Sequence, residues 1–263
     1  MSAVTSCIWG WRLMPLAWGM AAMATASVSA DNPFVCINTL SSDIIEDIRY
    51  SGSNNFVGKP MPGYSYQSCM LRADAAKGLK NAQALLSALR PEFRLKVFDC
   101  YRPKKAVAAF VEWANSSDLS SHAQYHYPNT PRVKLLELGY IAKSSMHSTG
   151  LAVDLTIVGQ RSAAATNTSA KSVDCTSPIP FADGSLDMGT DFDCFDTKSW
   201  TSSRRITESQ RASRALLVEV MNAAGFRNYS REWWHFTYIA TPSAALDHDI
   251  EVCDPVKKRK MPR

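Results

Sequence analysis

Two short runs of residues, far apart in the chain, constrain most strongly what this sequence can fold into. The first spans residues 145–154 and contains His147 and Asp154. The second contains Glu232 and His235 within a Glu-Trp-Trp-His segment. A hydrolytic zinc site needs three protein ligands, an open position for water and a glutamate that does not bind the metal. The two runs together supply this set, so we expect the fold to bring them to one point.

The first run has the alternation of a β-strand. Gly150, Ala152 and Asp154 share one parity and would face the same side of a sheet, while the apolar residues between them face the core. Because Gly150 and Ala152 are small, we expect their face to leave room for a metal and a substrate backbone. His147 precedes this strand in a Ser-Thr-Gly turn that can fold it back towards Asp154.

The second run cannot be a regular strand throughout. Glu232 and His235 are three residues apart, so an extended chain would put them on opposite faces, and they converge only on a turn or helical curl. We expect a strand to follow through Tyr238. Two histidines that are simply buried and hydrogen-bonded in the core are the alternative interpretation, which fits either run alone better than both together.

The two runs, Ser-x-His-x-x-Gly-x-Ala-x-Asp and Glu-Trp-Trp-His, resemble those of the VanX-type D-alanyl-D-alanine dipeptidases. The resemblance extends from about residue 40 to residue 238, and further segments match in order at residues 47–50, 54–60, 99–103 and 187–193. It implies an α+β fold in which a small antiparallel sheet is flanked by helices, as in the Hedgehog/D,D-peptidase group. The sequence also lacks the regular strand–helix alternation of a doubly wound sheet.

The resemblance also implies the metal and the general base. One zinc ion per chain would be held by His147, Asp154 and His235, with water in the fourth position. Glu232 would take a proton from that water and later deliver a proton to the leaving amine. These four side chains form the centre of the predicted site.

Three further site residues follow from the resemblance. Arg102, in a Tyr-Arg-Pro motif, would stabilise the oxyanion of the tetrahedral intermediate, although the residues alone favour a structural salt bridge. Asp193 would receive the free ammonium of the substrate, and a cap or a surface carboxylate is the alternative. Ser145 would make a hydrogen bond near the site. Trp233 and Trp234 are predicted to pack in the core rather than to stack on substrate.

Together with these residues, the resemblance implies a zinc metallopeptidase that hydrolyses the small dipeptide D-alanyl-D-alanine to free D-alanine. The N-terminus and the cysteines predict that it is exported and acts in cell-wall turnover. A zinc D,D-carboxypeptidase that removes terminal D-alanine from peptidoglycan stem peptides is the first alternative. The Trp-Trp pair and residues 54–59 favour the dipeptidase, by resemblance only. A non-catalytic zinc-binding module is the second alternative, and the presence of Glu232 argues against it.

The N-terminus predicts export. Arg12 is followed by an apolar stretch at residues 13–26 and a small-x-small motif, as in a signal peptide of residues 1–30. An uncleaved anchor is the alternative, but a proline and a glycine interrupt a stretch that is short for a membrane span. We therefore expect a dipeptidase domain at residues 31–263 that is periplasmic or secreted and is not inserted in a membrane after cleavage.

The cysteines agree with export. Six follow the predicted signal peptide, and an even number favours disulfides in an exported chain. Cysteine ligation of the metal is the alternative, but the sequence contains no Cys-x-x-Cys pair. Cys175 and Cys194 flank a long insertion and are predicted to pair. The insertion is a predicted loop at residues 160–187. The six cysteines are Cys36, Cys69, Cys100, Cys175, Cys194 and Cys253.

The formal net charge of +5 is modest, and much of it lies at the C-terminus. The basic tail at residues 254–263 is predicted to be solvated, with contact to anionic envelope polymers or lipid headgroups as the alternative. No wider stripe of basic and aromatic residues is present, so no nucleic-acid partner is expected. The sequence gives no oligomeric state.

Hydrophobic periodicity predicts the main elements. Helical spacing is found at residues 72–89, 103–113 and 209–224. A proline opens the second of these helices, and a glycine follows the third as its C-cap. Strand alternation is found at residues 94–99 and 150–157.

Overall fold

The computed structural model describes residues 34–116, 125–159, 174–177, 183–239, 244–246 and 249–250. The predicted signal peptide, most of the predicted insertion and the basic tail lie outside these residues, so the predicted domain limits stay predictions. Within the described part of the chain, no helix is long and apolar enough to cross a membrane.

The described residues form an α+β fold, as predicted. The helices are α1 (Ala73–Leu89), α2 (Lys104–Asn115) and α3 (Glu208–Ala223). The strands are β1 (Phe34–Cys36), β2 (Ile45–Glu46), β3 (Met70–Arg72), β4 (Phe93–Asp99), β5 (Ala152–Gly159), β6 (Phe226–Asn228) and β7 (His235–Tyr238). All three predicted helices are present, and so are the three predicted strands, at residues 94–99, at residues 150–157 and up to Tyr238, with small differences at their ends.

A five-stranded sheet carries the predicted site. Its strand order is β2-β4-β5-β7-β6, and the pairs are antiparallel except that the short edge strand β2 runs parallel to β4. Strands β1 and β3 form a separate two-stranded antiparallel sheet. Strand β5 is central and is buried along almost its whole length, so it gives the site a rigid base.

Helix α1 packs against both α3 and β4. Its apolar residues at helical spacing are buried. Gly78 allows the close approach of α1 to its neighbours, because a Cβ there would lie 2.9 Å from the Tyr238 ring and 3.0 Å from the Ala224 carbonyl oxygen. Helix α3 begins with a capping box between Thr207 and Gln210. The two helices therefore form a packed layer with the sheet.

Two disulfides join described cysteines, Cys69–Cys100 and Cys175–Cys194. The second confirms the predicted pairing, and Cys36 is also disulfide-bonded. Cys100 lies two residues before Arg102, and Cys194 directly follows Asp193. Each of these two cross-links therefore fixes the backbone beside a predicted site residue.

Candidate active site

Two of the predicted metal ligands face each other across a pair of strands. Asp154 on β5 lies directly opposite His235, the first residue of β7, in the antiparallel register. Residues in opposite positions have Cβ atoms about 5 Å apart, so this pairing alone brings the carboxylate and the imidazole together. The predicted curl before β7 is present. It is closed by hydrogen bonds from Glu232 N–H to the Tyr229 carbonyl and from His235 N–H to the Glu232 carbonyl.

The third predicted ligand comes from a short 3-10 helix that precedes β5. This helix, Met146–Thr149, carries His147 and ends at Gly150, whose φ of +74° is a left-handed conformation that favours glycine. The His147 ring is oriented by its Nδ1–H, which donates to the Cys100 carbonyl oxygen at 2.6 Å. Its Nε2 is then left to face the other two ligands.

The three ligand atoms form a small triangle. His147 Nε2 lies 3.1 Å from His235 Nδ1 and 3.2 Å from Asp154 Oδ1. The third side, between His235 Nδ1 and Asp154 Oδ1, is 3.0 Å. Nitrogen and oxygen ligands placed about 2.0–2.1 Å from a tetrahedral metal ion such as zinc are about 3.3 Å apart. The donor types and their spacing therefore fit a metal ion.

Charge at the triangle favours the ionised carboxylate. Burial would raise the pKa of Asp154, but the charges and hydrogen bonds of His147 and His235 outweigh it and hold the pKa well below its usual range. Arg102 brings another cation, with its Nη2 3.4 Å from Asp154 Oδ2. The ionised carboxylate is the form that binds a metal.

Glu232 lies beside the triangle without belonging to it. Its Oε2 is 3.9 Å from His235 Nδ1, and the residue lines the same cavity as the ligands. Burial, followed by the negative charge of Asp154, raises the pKa of Glu232 to about 8 against the opposing charges of Arg102 and His147. A pKa near neutral suits a group that must both take up and release a proton.

Arg102 is paired with a buried carboxylate, Asp99, that the sequence reasoning missed. The Arg102 Nε donates to Asp99 Oδ2 at 2.8 Å, and the guanidinium lies over the rings of Tyr50 and Phe110. The other Asp99 oxygen accepts a hydrogen bond from the Tyr64 hydroxyl at 2.7 Å. Arg102 therefore makes the salt bridge considered as an alternative, and it also lines the cavity. The position of Asp99 in a matched segment is the signal that could have found it.

Asp193 is a buried residue of the cavity and not a surface carboxylate. It is 4% exposed, and its Oδ2 accepts a hydrogen bond from the Tyr50 hydroxyl at 2.8 Å. Its φ of +57° is uncommon for a residue other than glycine. Burial, followed by the charge of Asp154, raises the pKa of Asp193 well above its usual range. A cation in the cavity would stabilise the ionised form of Asp193.

Ser145 and the two tryptophans occupy neighbouring positions. The Ser145 Oγ accepts a hydrogen bond from His147 N–H, so Ser145 caps the 3-10 helix, and its O–H can still donate into the cavity that it lines. Trp233 and Trp234 are almost fully buried, as predicted. Trp233 donates through Nε1 to Thr190 Oγ1 at 2.9 Å, whereas Trp234 forms part of the cavity wall.

The predicted site residues all border one cavity of about 280 Å³. Residues 54–64 contribute Phe56 to the cavity wall, and the segment around Asp193 contributes Phe195. A further wall is formed by most of residues 139–146, and of these only Ser145 was a predicted site residue. That segment is irregular and has no hydrophobic period that could have revealed it.

One expectation about the first run is wrong. Gly150 does not leave an open face for metal and substrate. A Cβ on Gly150 would lie 2.6 Å from Phe34 Cε1 and 3.2 Å from Arg72 Cγ, so that space is already filled by protein. Glycine is required there by the close approach of Phe34 and by the positive φ.

A triangle of metal ligands beside an unligated carboxylate, inside a small cavity, defines a candidate metallohydrolase site. Comparison with protein families agrees with this class. The family model for D-Ala-D-Ala dipeptidases matches residues 30–167 and 160–253. The chain therefore belongs to the D-Ala-D-Ala dipeptidase family of peptidases.

Individual relatives span most of the chain. It is similar to the D-alanyl-D-alanine dipeptidase of Enterococcus faecalis, with 30% identity over 81% of this chain and 94% of the relative. The D-alanyl-D-alanine dipeptidase of Enterococcus faecium is 32% identical over 72% of this chain and 83% of the relative. That of Streptomyces coelicolor is 30% identical over 83% of this chain and 98% of the relative.

Proposed function

We propose that this chain is an exported zinc metallopeptidase that hydrolyses D-alanyl-D-alanine to free D-alanine. The observation that carries the proposal is that the ligand triangle and two unligated carboxylates, Glu232 and Asp193, border one cavity of about 280 Å³. One carboxylate can serve the proton transfers, and the other can hold a positive charge. The family and the names of the relatives support the same substrate.

The proposed chemistry is hydrolysis by an activated water molecule. Zinc held by His147, Asp154 and His235 would lower the pKa of that water and polarise the peptide carbonyl. Glu232 accepts a proton from the water as the new C–O bond forms, and it donates a proton to the leaving nitrogen as the C–N bond breaks. The position of Glu232, 3.9 Å from the ligand atom of His235, and its raised pKa support this role.

Arg102 is proposed to stabilise the oxyanion of the tetrahedral intermediate. Among the described residues that line the cavity, it is the one with a permanent positive charge. Asp99 and the rings of Tyr50 and Phe110 hold its guanidinium in place. A cation that is already oriented needs no reorganisation when negative charge develops, and this is the basis of oxyanion stabilisation.

Asp193 is proposed to bind the free ammonium of the dipeptide. An ammonium pairs with the buried carboxylate, whereas the uncharged amide of a longer or N-blocked peptide leaves that carboxylate buried and unpaired. The hydrogen bond from Tyr50 fixes the orientation of Asp193. Ser145 is proposed to donate a hydrogen bond to the substrate through the O–H that its capping role does not use. These contacts would restrict the site to short substrates.

The test compares kcat/KM for D-Ala-D-Ala with kcat/KM for N-acetyl-D-Ala-D-Ala and for peptidoglycan pentapeptides. We expect the free dipeptide to be favoured by about 10²-fold or more, because an unpaired buried charge costs several kcal/mol. Asp193→Asn keeps an acceptor for Tyr50 but removes the charge. It should therefore lower kcat/KM most for the free dipeptide and so reduce the preference for the free dipeptide over N-blocked substrates. Asp191→Asn is the matched control, since Asp191 does not line the cavity. Equal rates on free and N-blocked substrates would identify a D,D-carboxypeptidase instead.

We further propose that the enzyme acts outside the cytoplasm, on dipeptide released during wall turnover, and so recycles D-alanine rather than depleting a cytosolic precursor. The predicted signal peptide and the disulfides support export. Protein isolated from its natural compartment should begin at Asp31 and contain no free thiol. A mature chain that retains residues 1–30 and carries free thiols would contradict export.

A further inference from the structure

One side of the cavity is formed by a single irregular segment, the wall at residues 139–146. The wall begins in a turn where Tyr140 N–H and Ile141 N–H both donate to the Leu135 carbonyl oxygen. It ends at the 3-10 helix that carries His147. Because the backbone of residues 139–145 is neither helix nor strand, contacts with other segments must fix the position of the wall. Those contacts therefore decide the size of the cavity.

Arg231 ties this wall to the turn that carries Glu232. The Arg231 Nη1 donates to the Leu138 carbonyl oxygen at 2.7 Å. The same nitrogen would lie 3.2 Å from a Cβ on Gly139, so glycine permits this close approach, and its φ of +77° also favours glycine. Arg231 directly precedes Glu232, which lines the cavity. One turn thus carries both the proposed base and the side chain that reaches the wall.

Trp200 packs against the Arg231 side chain. The Arg231 guanidinium lies 5.9 Å from the centre of the Trp200 ring, within the range of a cation–π contact. Trp200 also lies beside the hydroxyl of Tyr140, a residue of the wall: burial raises the pKa of Tyr140, and the nearby Trp200 side chain opposes that shift. Trp200 is itself held to the turn, because Thr201 N–H donates to the Ser230 carbonyl at 3.0 Å. The wall, Trp200 and the turn that carries Glu232 therefore meet at one junction.

We infer that Arg231 is a specificity-determining positioning residue that latches the wall over the substrate. This inference rests on the proposed function and deepens it, since a closed wall limits the cavity to a dipeptide and an open wall admits N-blocked or longer peptides. The rim around the junction is exposed at Leu138, Met146, Trp200 and Tyr229. A hydrogen bond at such a rim contributes little to global stability but can control a local opening.

The first test uses Arg231→Ala and Arg231→Lys, with Arg227→Ala as the matched control because Arg227 is an exposed arginine on the neighbouring strand β6. Arg231→Ala should raise KM for D-Ala-D-Ala about 3–10-fold, the scale of one hydrogen bond. It should change kcat less than about twofold, because the contact does not touch the reacting atoms. Arg231→Ala should also reduce the ratio of kcat/KM for D-Ala-D-Ala to kcat/KM for N-acetyl-D-Ala-D-Ala. Lysine should restore part of the effect, since it can reach the Leu138 carbonyl but lacks the planar guanidinium.

The second test is hydrogen exchange of the Tyr140 and Ile141 amides in the protein without substrate. Arg231→Ala should speed this exchange, and Arg227→Ala should not. This readout does not depend on turnover, so faster exchange in a protein that fails to cleave D-Ala-D-Ala would support the latch and refute only the proposed function. Unchanged exchange with unchanged KM in Arg231→Ala would overturn the latch. A lowered kcat with unchanged KM would also overturn it, because Arg231 would then be positioning Glu232.

Discussion

The two sides of the cavity are held in different ways. The metal-ligand side is built on the regular β5–β7 pair, where the sheet register places Asp154 opposite His235. The recognition side, residues 183–196, is irregular and holds Asp193 at a left-handed φ of +57°. The strand pair aligns its two candidate ligands through backbone pairing alone. The loop has a single isolated antiparallel bridge, between Ser185 and Val158, and otherwise needs separate fixed points.

Covalent and polar contacts supply the fixed points of the recognition loop. Cys194, the residue after the proposed ammonium-binding aspartate, is bonded to Cys175. The next residue, Phe195, donates its N–H to the His126 carbonyl at 2.7 Å. Because the two sides are held independently, catalysis and substrate recognition should be separable by mutation. Changes in the strand pair should remove metal and turnover, and changes at the cavity-lining residues of the loop or at its disulfide should first alter substrate affinity and stability.

The largest effect is expected in the strand pair. His235→Ala or Asp154→Ala removes one of the three proposed ligands, so the bound metal and the activity should be lost together, as measured by metal content and turnover of D-Ala-D-Ala. Asp193→Ala is the matched change on the recognition side and should leave the metal content at the wild-type level. An Asp193→Ala protein without metal would break the division between the two sides.

The next largest effect is expected at Arg102, which contacts Asp154 on the first side and the ring of Tyr50, the residue that holds Asp193 on the second. Arg102→Ala should lower kcat about 10²–10³-fold and raise KM much less, because the charge it meets develops only in the transition state. Lysine should restore part of kcat, since it lacks the guanidinium fork. A normal kcat with a lowered melting temperature would mean that the salt bridge to Asp99 is the whole role of Arg102.

The metal-ligand side could be predicted from the sequence because its signals are local. The alternation along β5 and the three-residue spacing of Glu232 and His235 led to the strand and the curl that are present. The place of Asp193 depends on Tyr50, which is distant in sequence, and no local period encodes that contact. Family resemblance alone pointed to Asp193, and it pointed to only one residue of the wall at residues 139–146, Ser145.

The same limit explains the error at Gly150. Its small size was interpreted as space for substrate, but the space is filled by Phe34 from a separate two-stranded sheet. Strand β2 was not predicted, because its two residues, Ile45 and Glu46, are too few to show alternation. The helices were found because a repeat of apolar residues over several turns is a strong signal.

A smaller effect is expected from the disulfide of the recognition loop. Replacing Cys175 and Cys194 together by serine should lower the free energy of unfolding by about 3 kcal/mol and raise KM for D-Ala-D-Ala more than it lowers kcat. Replacing Cys69 and Cys100 by serine is the matched change beside the proposed metal ligands. Cys100 supplies the backbone carbonyl that orients His147, and the Cys69–Cys100 disulfide holds that backbone in place. The second double variant should therefore lose metal affinity, whereas the first should mainly lose substrate affinity. Identical kinetic effects from both double variants would argue against two separable sides.

The smallest effect is the pH dependence from Asp191, within the recognition loop. Burial and the nearby charge of Asp183 raise the pKa of Asp191 to about 6, against Arg49 and a hydrogen bond from Tyr125. The folded protein therefore binds this proton more tightly than the unfolded chain, whose value is about 3.9. The contribution of Asp191 to stability should fall by about 1–3 kcal/mol as pH rises from about 4 to about 6. Denaturant unfolding of Asp191→Asn should lack this slope, and parallel curves for the two proteins would refute it.

Glu232 is proposed to act on a metal that it does not bind. The most direct measurement determines zinc content and turnover of D-Ala-D-Ala on the same preparation of Glu232→Gln, beside wild type and His235→Ala. We predict that Glu232→Gln keeps the zinc of the wild type while its kcat falls by about 10²-fold or more, the scale of general acid–base catalysis. Loss of zinc from Glu232→Gln, as from His235→Ala, would make Glu232 a ligand and contradict the account.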